Sequence, residues 1–141
     1  LARAIKYAAD HGVLVVSAAG NAHSNVNVFP AAYSNATGVA STTNLDIRST
    51  FTNYGSSIAS LAAPGEQLVT TFPSGRYAVA SGTSFSSGLV SGLAALLVQN
   101  APAIKQGDFE NSLGKGSKKI SQDVGQGRLD LYKTLQEYLK R

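Results

Sequence analysis

The chain has 141 residues, a formal net charge of +4 and no cysteine. Its length suits one domain with a hydrophobic core, and the missing cysteine excludes disulfide bonds and thiolate metal sites. Basic residues concentrate near the C-terminus among acidic ones, which we interpret as a solvated face, so nucleic acid is rejected as a partner. The apolar stretches are shorter than the roughly 20 residues of a membrane span, so no membrane association is predicted.

The first half of the chain carries alternating helix and strand signals. Apolar residues recur at helical spacing from Leu1 to Ala8 and stop before Gly12, which predicts an amphipathic helix. Residues 13–17 form a continuous apolar run, typical of a buried parallel strand. A helix followed by such a strand indicates α/β layering, in which ligands gather at the carboxyl ends of the strands. The segment that follows residue 17 is therefore a candidate site.

Further strands are predicted over residues 37–42 and 58–62, and a hairpin over 67–80. The hairpin leads to a helix that follows Ser84, and residues 85–99 are uncharged and apolar on all sides, which predicts a buried helix. The hydroxyl of Ser84 then lies at a strand-to-helix corner, where free N–H groups stabilise anionic charge. A short helix over 108–113, a loop over 114–127 and a terminal amphipathic helix complete the predicted elements.

Residues 82–92 (GTSFSSGLVSG) resemble the serine-nucleophile signature of the subtilisin-like serine proteases, the subtilases. Four more segments resemble this family in the same order: 17–21 (SAAGN), 29–31 (FPA), 61–65 (LAAPG) and 125–130 (GQGRLD). The resemblance implies a cis peptide bond before Pro30. Gly88 departs from the pattern, because the family has proline there. Glycine costs a helix on the order of 1 kcal/mol relative to alanine, so we expect a looser first turn.

The resemblance implies a subtilisin-like three-layer α/β fold with a mainly parallel sheet and a buried central helix, present as a partial domain. Residues 1–141 would be the C-terminal part of a catalytic domain. By resemblance, Ser84 is the nucleophile, and the Asn21 carboxamide and the Ser84 N–H form the oxyanion hole. The residues that the resemblance assigns to substrate binding are Ser17, Ala18, Ala19, Gly20, Val28 and Thr83. Val28 is expected to shorten the pocket for the side chain before the scissile bond.

A serine nucleophile also needs a base and an orienting acid, and the family's motifs for both are absent from this sequence. His11 precedes the first strand and so lies on the wrong side of the sheet, and Asp10 beside it is interpreted as part of a helix end. His23 lies in the loop just past Asn21 and could approach Ser84, but the family takes no base from that position. We expect an upstream segment or a separate chain to supply the aspartate and histidine, and we expect the isolated chain to be inactive.

Two other functions remain open. A non-catalytic subtilase-like module that only folds or binds peptide is slightly favoured by Gly88. An esterase is disfavoured because residues 82–86 lack the second glycine of the G-x-S-x-G elbow.

The resemblance implies that no cofactor is required for the chemistry, and that the substrate is a protein or peptide. It leaves a structural calcium ion open, with the backbone carbonyls of residues 31–36 as candidate ligands. It also implies a secreted or extracytoplasmic enzyme.

Overall fold

The computed structural model describes residues 1–120 and 122–140, with only the backbone of Gln122. The helices are α1 (Ala2–Asp10), α2 (Thr83–Asn100), α3 (Gln106–Gly116) and α4 (Leu131–Leu139), and a single 3-10 turn spans Gln122–Val124. The strands are β1 (Val16–Ala18), β2 (Thr37–Thr42), β3 (Leu61–Pro64), β4 (Leu68–Phe72) and β5 (Arg76–Ala80).

A three-stranded parallel sheet in the order β1-β2-β3 forms the centre of the fold. Every residue of β2 is buried, as expected of a parallel strand that is covered on both faces. β4 and β5 form a separate antiparallel hairpin. The predicted mainly parallel α/β arrangement is therefore confirmed, and it brings the carboxyl end of β1 to one edge of the sheet.

Helix α2 packs on one face of this sheet. Its buried residues include Val90, Leu93 and Leu97, which share one apolar core with Val39 and Leu61 of the strands. On the other face of the sheet, a smaller cluster joins Ala40, Ala59, Ala62 and Val124. The opposite side of α2 is open, since Leu89 and Leu96 are each 40% exposed. The predicted burial of this helix therefore holds along one of its faces in the chain described here.

The first strand begins at Val16 and not at residue 13, whereas most other predicted boundaries agree with the structure, and the cis bond before Pro30 is confirmed. The third strand is an exception, because it begins at Leu61 and not at residue 58. Ile58 and Ala59 belong to a turn in which both N–H groups donate to the carbonyl of Gly55, at 3.1 and 2.9 Å. A short apolar run does not distinguish a buried turn from a buried strand, so sequence placed this boundary three residues early. Helix α3 is also longer than predicted and ends at Gly116, inside the predicted loop.

Ion pairs fasten the C-terminal segment to the loop after β2. The Asp46 carboxylate lies 2.9 Å from Lys118 Nζ and 2.8 Å from Arg128 Nε. The hydrogen bond from Lys118, helped by the charge of Arg128, lowers the pKa of the Asp46 carboxyl below its ordinary value despite its partial burial. Part of the basic charge near the C-terminus is thus paired within the chain.

None of the helices in the described ranges has both the length and the hydropathy of a membrane-crossing segment.

Candidate active site

The strand-to-helix corner before Ser84 depends on Gly82. β5 ends at Ala80 and α2 begins at Thr83, and Gly82 between them adopts φ 152° and ψ 155°. This backbone region is essentially restricted to glycine. The Gly82 N–H donates to the carbonyl of Gly65 at 2.8 Å, which fixes the corner to the segment after β3. The chain therefore makes a sharp turn between β5 and α2, and this turn leads directly into the first turn of α2.

Ser84 lies in that first turn, and its side chain is exposed. Its neighbours along the helix use their N–H groups: Thr83 donates to Asn21 Oδ1 at 3.0 Å, and Phe85 donates to the Gly82 carbonyl at 3.1 Å. The Ser84 N–H, in contrast, has no hydrogen-bond partner among residues 1–120 and 122–140. A free N–H at a helix N-terminus attracts negative charge. The hydroxyl and this donor therefore belong to one residue at an accessible corner.

The Asn21 carboxamide is held against the same corner. Its Oδ1 accepts hydrogen bonds from the Thr83 N–H at 3.0 Å and from Thr83 Oγ1 at 2.9 Å. Because a backbone N–H can only donate, these contacts assign the oxygen to the Thr83 side. The Nδ2 group lies 3.6 Å from the point that a Cβ atom would occupy at Gly82. Residues 62 positions apart in sequence are thus joined, and the amide donor of Asn21 lies beside the Ser84 turn.

The loop that carries Asn21 follows directly from β1. Ala19 is fully buried, and its N–H donates to the Val39 carbonyl at 2.9 Å. Gly20 follows with φ 103°, a conformation that L side chains rarely adopt. The Gly20 N–H donates to Thr83 Oγ1 at 3.2 Å. Thr83 therefore contacts both Gly20 and Asn21, and it joins the β1 loop to the start of α2.

Asn53 is a residue of this region that the sequence analysis did not single out. It is 2% exposed, and its side chain and backbone make four hydrogen bonds to the segment 19–24. In the sequence it stands in a polar, turn-rich stretch where asparagine is common. Its burial depends on the tertiary fold, so no local pattern could have revealed it.

The residues predicted to bind substrate differ in accessibility. Ser17 and Ala19 are buried, whereas Ala18, Gly20 and Val28 are partly exposed. Thr83 is fully buried and contacts Asn21. The backbone at Val28 is fixed by a hydrogen bond from the Ala32 N–H to the Val28 carbonyl at 2.9 Å.

This arrangement, an exposed serine at a helix start beside a fixed carboxamide donor, suits acyl transfer. The sequence model of the subtilase family, Peptidase S8, matches residues 1–127. The chain belongs to the subtilase family.

Among its subtilase relatives, thermitase of Thermoactinomyces vulgaris is 39% identical over 139 residues, which cover 96% of this chain and 49% of thermitase. M-protease of Shouchella clausii is 34% identical over 132 residues, or 94% of this chain and 33% of the relative. The solved structure of a protease from Pseudoalteromonas arctica superposes with a TM-score of 0.90 at 29% identity, covering 97% of this chain and 46% of that one. The chain thus spans about half or less of the length of these subtilases. These relatives support a protease function in general.

Neither histidine of this subtilase chain pairs with Ser84. His11 lies at the end of α1, with its Nδ1 2.8 Å from the Tyr7 carbonyl oxygen, and Asp10 beside it pairs with Lys6 at 2.8 Å. The ring of His23 packs on that of Tyr54 at a centroid distance of 5.5 Å. Within the described residues, neither ring contacts the serine hydroxyl. In this structure, therefore, neither histidine is in contact with Ser84 as a general base.

In the described ranges, no three His, Asp or Glu side chains gather in a way that could hold a metal ion. One cavity is lined by residues of the segment 31–36 together with Glu110. The Glu110 carboxylate accepts a hydrogen bond from Thr37 Oγ1 at 2.9 Å. Carbonyl and carboxylate oxygens are the ligand type that calcium prefers.

Proposed function

We propose that this chain is the C-terminal part of a subtilase catalytic domain, and that the complete domain hydrolyses peptide bonds through an acyl-enzyme on Ser84. The observation that supports this most strongly is the pair of hydrogen bonds from Thr83 to Asn21 Oδ1. These bonds leave the Asn21 amide group free to donate next to Ser84. These contacts bring Asn21, which is distant in sequence, to the corner beside Ser84, as an oxyanion hole requires.

In the proposed reaction, Ser84 Oγ attacks the carbonyl carbon of the peptide while its proton passes to the upstream histidine. The Asn21 Nδ2 and the Ser84 N–H donate to the oxyanion of the tetrahedral intermediate. The carbon–nitrogen bond then breaks, and the histidine returns the proton to the leaving amine. Water hydrolyses the acyl-enzyme in a second passage through the same steps. No cofactor takes part.

The part that supplies the histidine and aspartate is proposed to pack against the open surfaces near the site. β1 pairs with β2 on one side, and in the described residues no strand pairs with its other side. A groove lies between residues 12–16 and the Ser91, Ala95 and Val98 side of α2. Buried parallel sheets are normally continued and covered. This open edge and this groove are therefore the expected contacts of the upstream part.

The proposal is tested by comparing the complete gene product with residues 1–141 alone. We expect a fluorophosphonate probe to label the complete protein and a peptide substrate to be cleaved, because the base is then present. The isolated chain should give neither signal. A complete protein that contains both missing motifs and still shows no labelling would contradict the proposal.

A non-catalytic peptide-binding module is the second candidate, and it is favoured by Gly88 in place of the family proline. In the structure, Gly88 lies within a continuous α2 and faces open space. Such a module would bind peptide without product formation. Calorimetry with an uncleaved peptide, together with the labelling experiment, separates the two functions.

The proposed specificity is for small or medium apolar side chains before the scissile bond, with Val28 as the residue that limits the pocket. A peptide library should therefore show cleavage after such residues. The variant Val28→Ala removes two methyl groups from the pocket wall and should shift the profile toward larger side chains. A profile dominated by large aromatic or basic residues in the parent protein would contradict this assignment.

A structural calcium ion at the cavity that contains residues 31–36 and Glu110 is a further proposal. Ligand binding to the folded state raises its stability by mass action. Calcium should therefore raise the melting temperature of the complete protein, and Glu110→Gln should reduce that rise. An identical melting temperature in calcium and in chelator would refute the site.

We also propose that the complete protein acts outside the cytoplasm, as the family resemblance implies. Fractionation of the source cells and medium, followed by fluorophosphonate labelling, checks this location. Labelling confined to the cytosolic fraction would refute it.

A further inference from the structure

We propose that Asn53 is a positioning residue that holds the oxyanion-hole asparagine in place. This inference rests on the proposed function, because it concerns the aim of the Asn21 amide donor. Asn53 lies outside every motif that resembles the family signature. It is 2% exposed and stands on the segment that leads from β2 to β3.

The side chain of Asn53 bridges both sides of the Asn21 loop. Its Nδ2 donates to the Ala19 carbonyl at 2.9 Å. Its Oδ1 accepts from the N–H of Ala22 at 3.0 Å and from the N–H of Ser24 at 3.1 Å. The contacts thus begin two residues before Asn21 and end three residues after it. Together they fix the loop around the residue that carries the donor.

The backbone of Asn53 adds a fourth contact, because its N–H donates to the Gly20 carbonyl at 2.8 Å. The packing here is close. A Cβ atom at Gly20 would lie 2.4 Å from Asn53 Nδ2, so the loop backbone lies directly against this amide. Thr83 holds the oxygen of the Asn21 side chain, and Asn53 holds the main chain from which that side chain extends. Both are needed to fix the direction of Nδ2.

The energetic reason is that catalytic donors must be fixed before reaction. A misplacement of about 1 Å, caused by a residue away from the chemistry, can lower a rate by about 100-fold. Without the Asn53 side chain, the N–H groups of Ala22 and Ser24 and the Ala19 carbonyl lose their partners. The loop then moves to satisfy these groups elsewhere, and Asn21 moves with it.

Gln106 provides a matched control. It is 8% exposed, and like Asn53 it is a buried amide that bonds the main chain next to β1. Its Oε1 accepts from the Val15 N–H at 3.0 Å, and its Nε2 donates to the Val15 carbonyl at 3.2 Å. Val15 precedes β1, whereas Asn21 follows it. A general loss of stability should therefore follow both substitutions, while a loss of positioning should follow only the one at Asn53.

The test uses the complete protein and measures kcat, KM and the fraction of labelled sites. We expect Asn53→Ala to lower kcat by about 10- to 100-fold with KM changed less than about twofold, and Gln106→Ala to leave kcat near the parent value. In an Asn21→Ala background, Asn53→Ala should lower kcat by less than about twofold, since coupled residues are not additive. A full, additive loss in that background would overturn the proposal.

Asn53→Asp is the second variant, chosen in case Asn53→Ala does not fold. It keeps an oxygen for the N–H groups of Ala22 and Ser24 but places a carboxylate oxygen against the Ala19 carbonyl in place of the donor, so kcat should also fall. Amide hydrogen exchange over residues 19–24 gives a readout that needs no hydrolysis. Protection there should fall in both Asn53 variants and persist in Gln106→Ala, and unchanged protection would overturn the proposal even if the complete protein proved inactive.

Discussion

Replacing Ser84 with alanine in the complete protein should abolish fluorophosphonate labelling and lower kcat by about 10⁶-fold, the size of the loss when subtilisin loses its nucleophile. The side chain is exposed at the start of α2, so the substitution leaves no buried cavity. The fold and the melting temperature should therefore stay near those of the parent. Active-site labelling and initial rates with a peptide substrate measure the effect.

Ser87→Ala is the matched control for this substitution. Ser87 stands three residues later on the same helix, and its hydroxyl donates to the Ser84 carbonyl at 2.8 Å. Labelling and turnover should survive its loss, because it removes a hydroxyl from the same helix without removing the nucleophile. Retained labelling of Ser84→Ala would show that the probe reacts elsewhere, and the acyl-enzyme proposal would then fail.

The second large effect is expected from Asn21→Ala. Removing one oxyanion-hole donor from subtilisin lowers kcat by about 10²- to 10³-fold, and we expect the same range here with little change in KM. The reason is that the amide meets the substrate oxygen mainly when that oxygen becomes negatively charged. Steady-state kinetics on the complete protein, normalised to labelled sites, gives the two parameters separately.

Asn21→Asp separates donation from structure. The carboxylate still accepts the two hydrogen bonds from Thr83 that the amide oxygen accepts in the parent, but it has no N–H to donate. Because the carboxylate also repels a negatively charged oxygen, its loss of kcat should equal or exceed that of Asn21→Ala if the amide donates to the oxyanion. Near-parent activity of Asn21→Asp would contradict an oxyanion role for this residue.

The sequence predicted much of the fold because its patterns are local. The amphipathic spacing of α1, the short apolar strands and the hairpin joined through residues 73–75 each follow from neighbouring residues, and the structure confirms them. The starts of β1 and β3 were each predicted three residues early. At β3 the reason is that Ile58 and Ala59 are buried within a turn and do not pair in a strand.

The site was predicted only in part, and through family resemblance. Ser84 and Asn21 stand in short recognisable segments, so their candidate roles were accessible from sequence. The hydrogen bonds from Thr83 to Asn21 and the bridging contacts of Asn53 join residues distant in the chain. Such contacts depend on the tertiary fold, and no spacing rule within one segment predicts them. The sequence thus indicated which residues are candidates for catalysis, but it did not indicate which hydrogen bonds position their side chains.

The link between Thr83 and Asn21 has a consequence for the newly made polypeptide. The amide of Asn21 takes its direction from the first residue of α2, so it is aimed only after the β1 loop and this helix have docked. Until then the Asn21 amide would not be aligned beside Ser84. On the proposed function, a newly made chain would therefore lack this aligned hydrogen-bond donor until its two segments have come together.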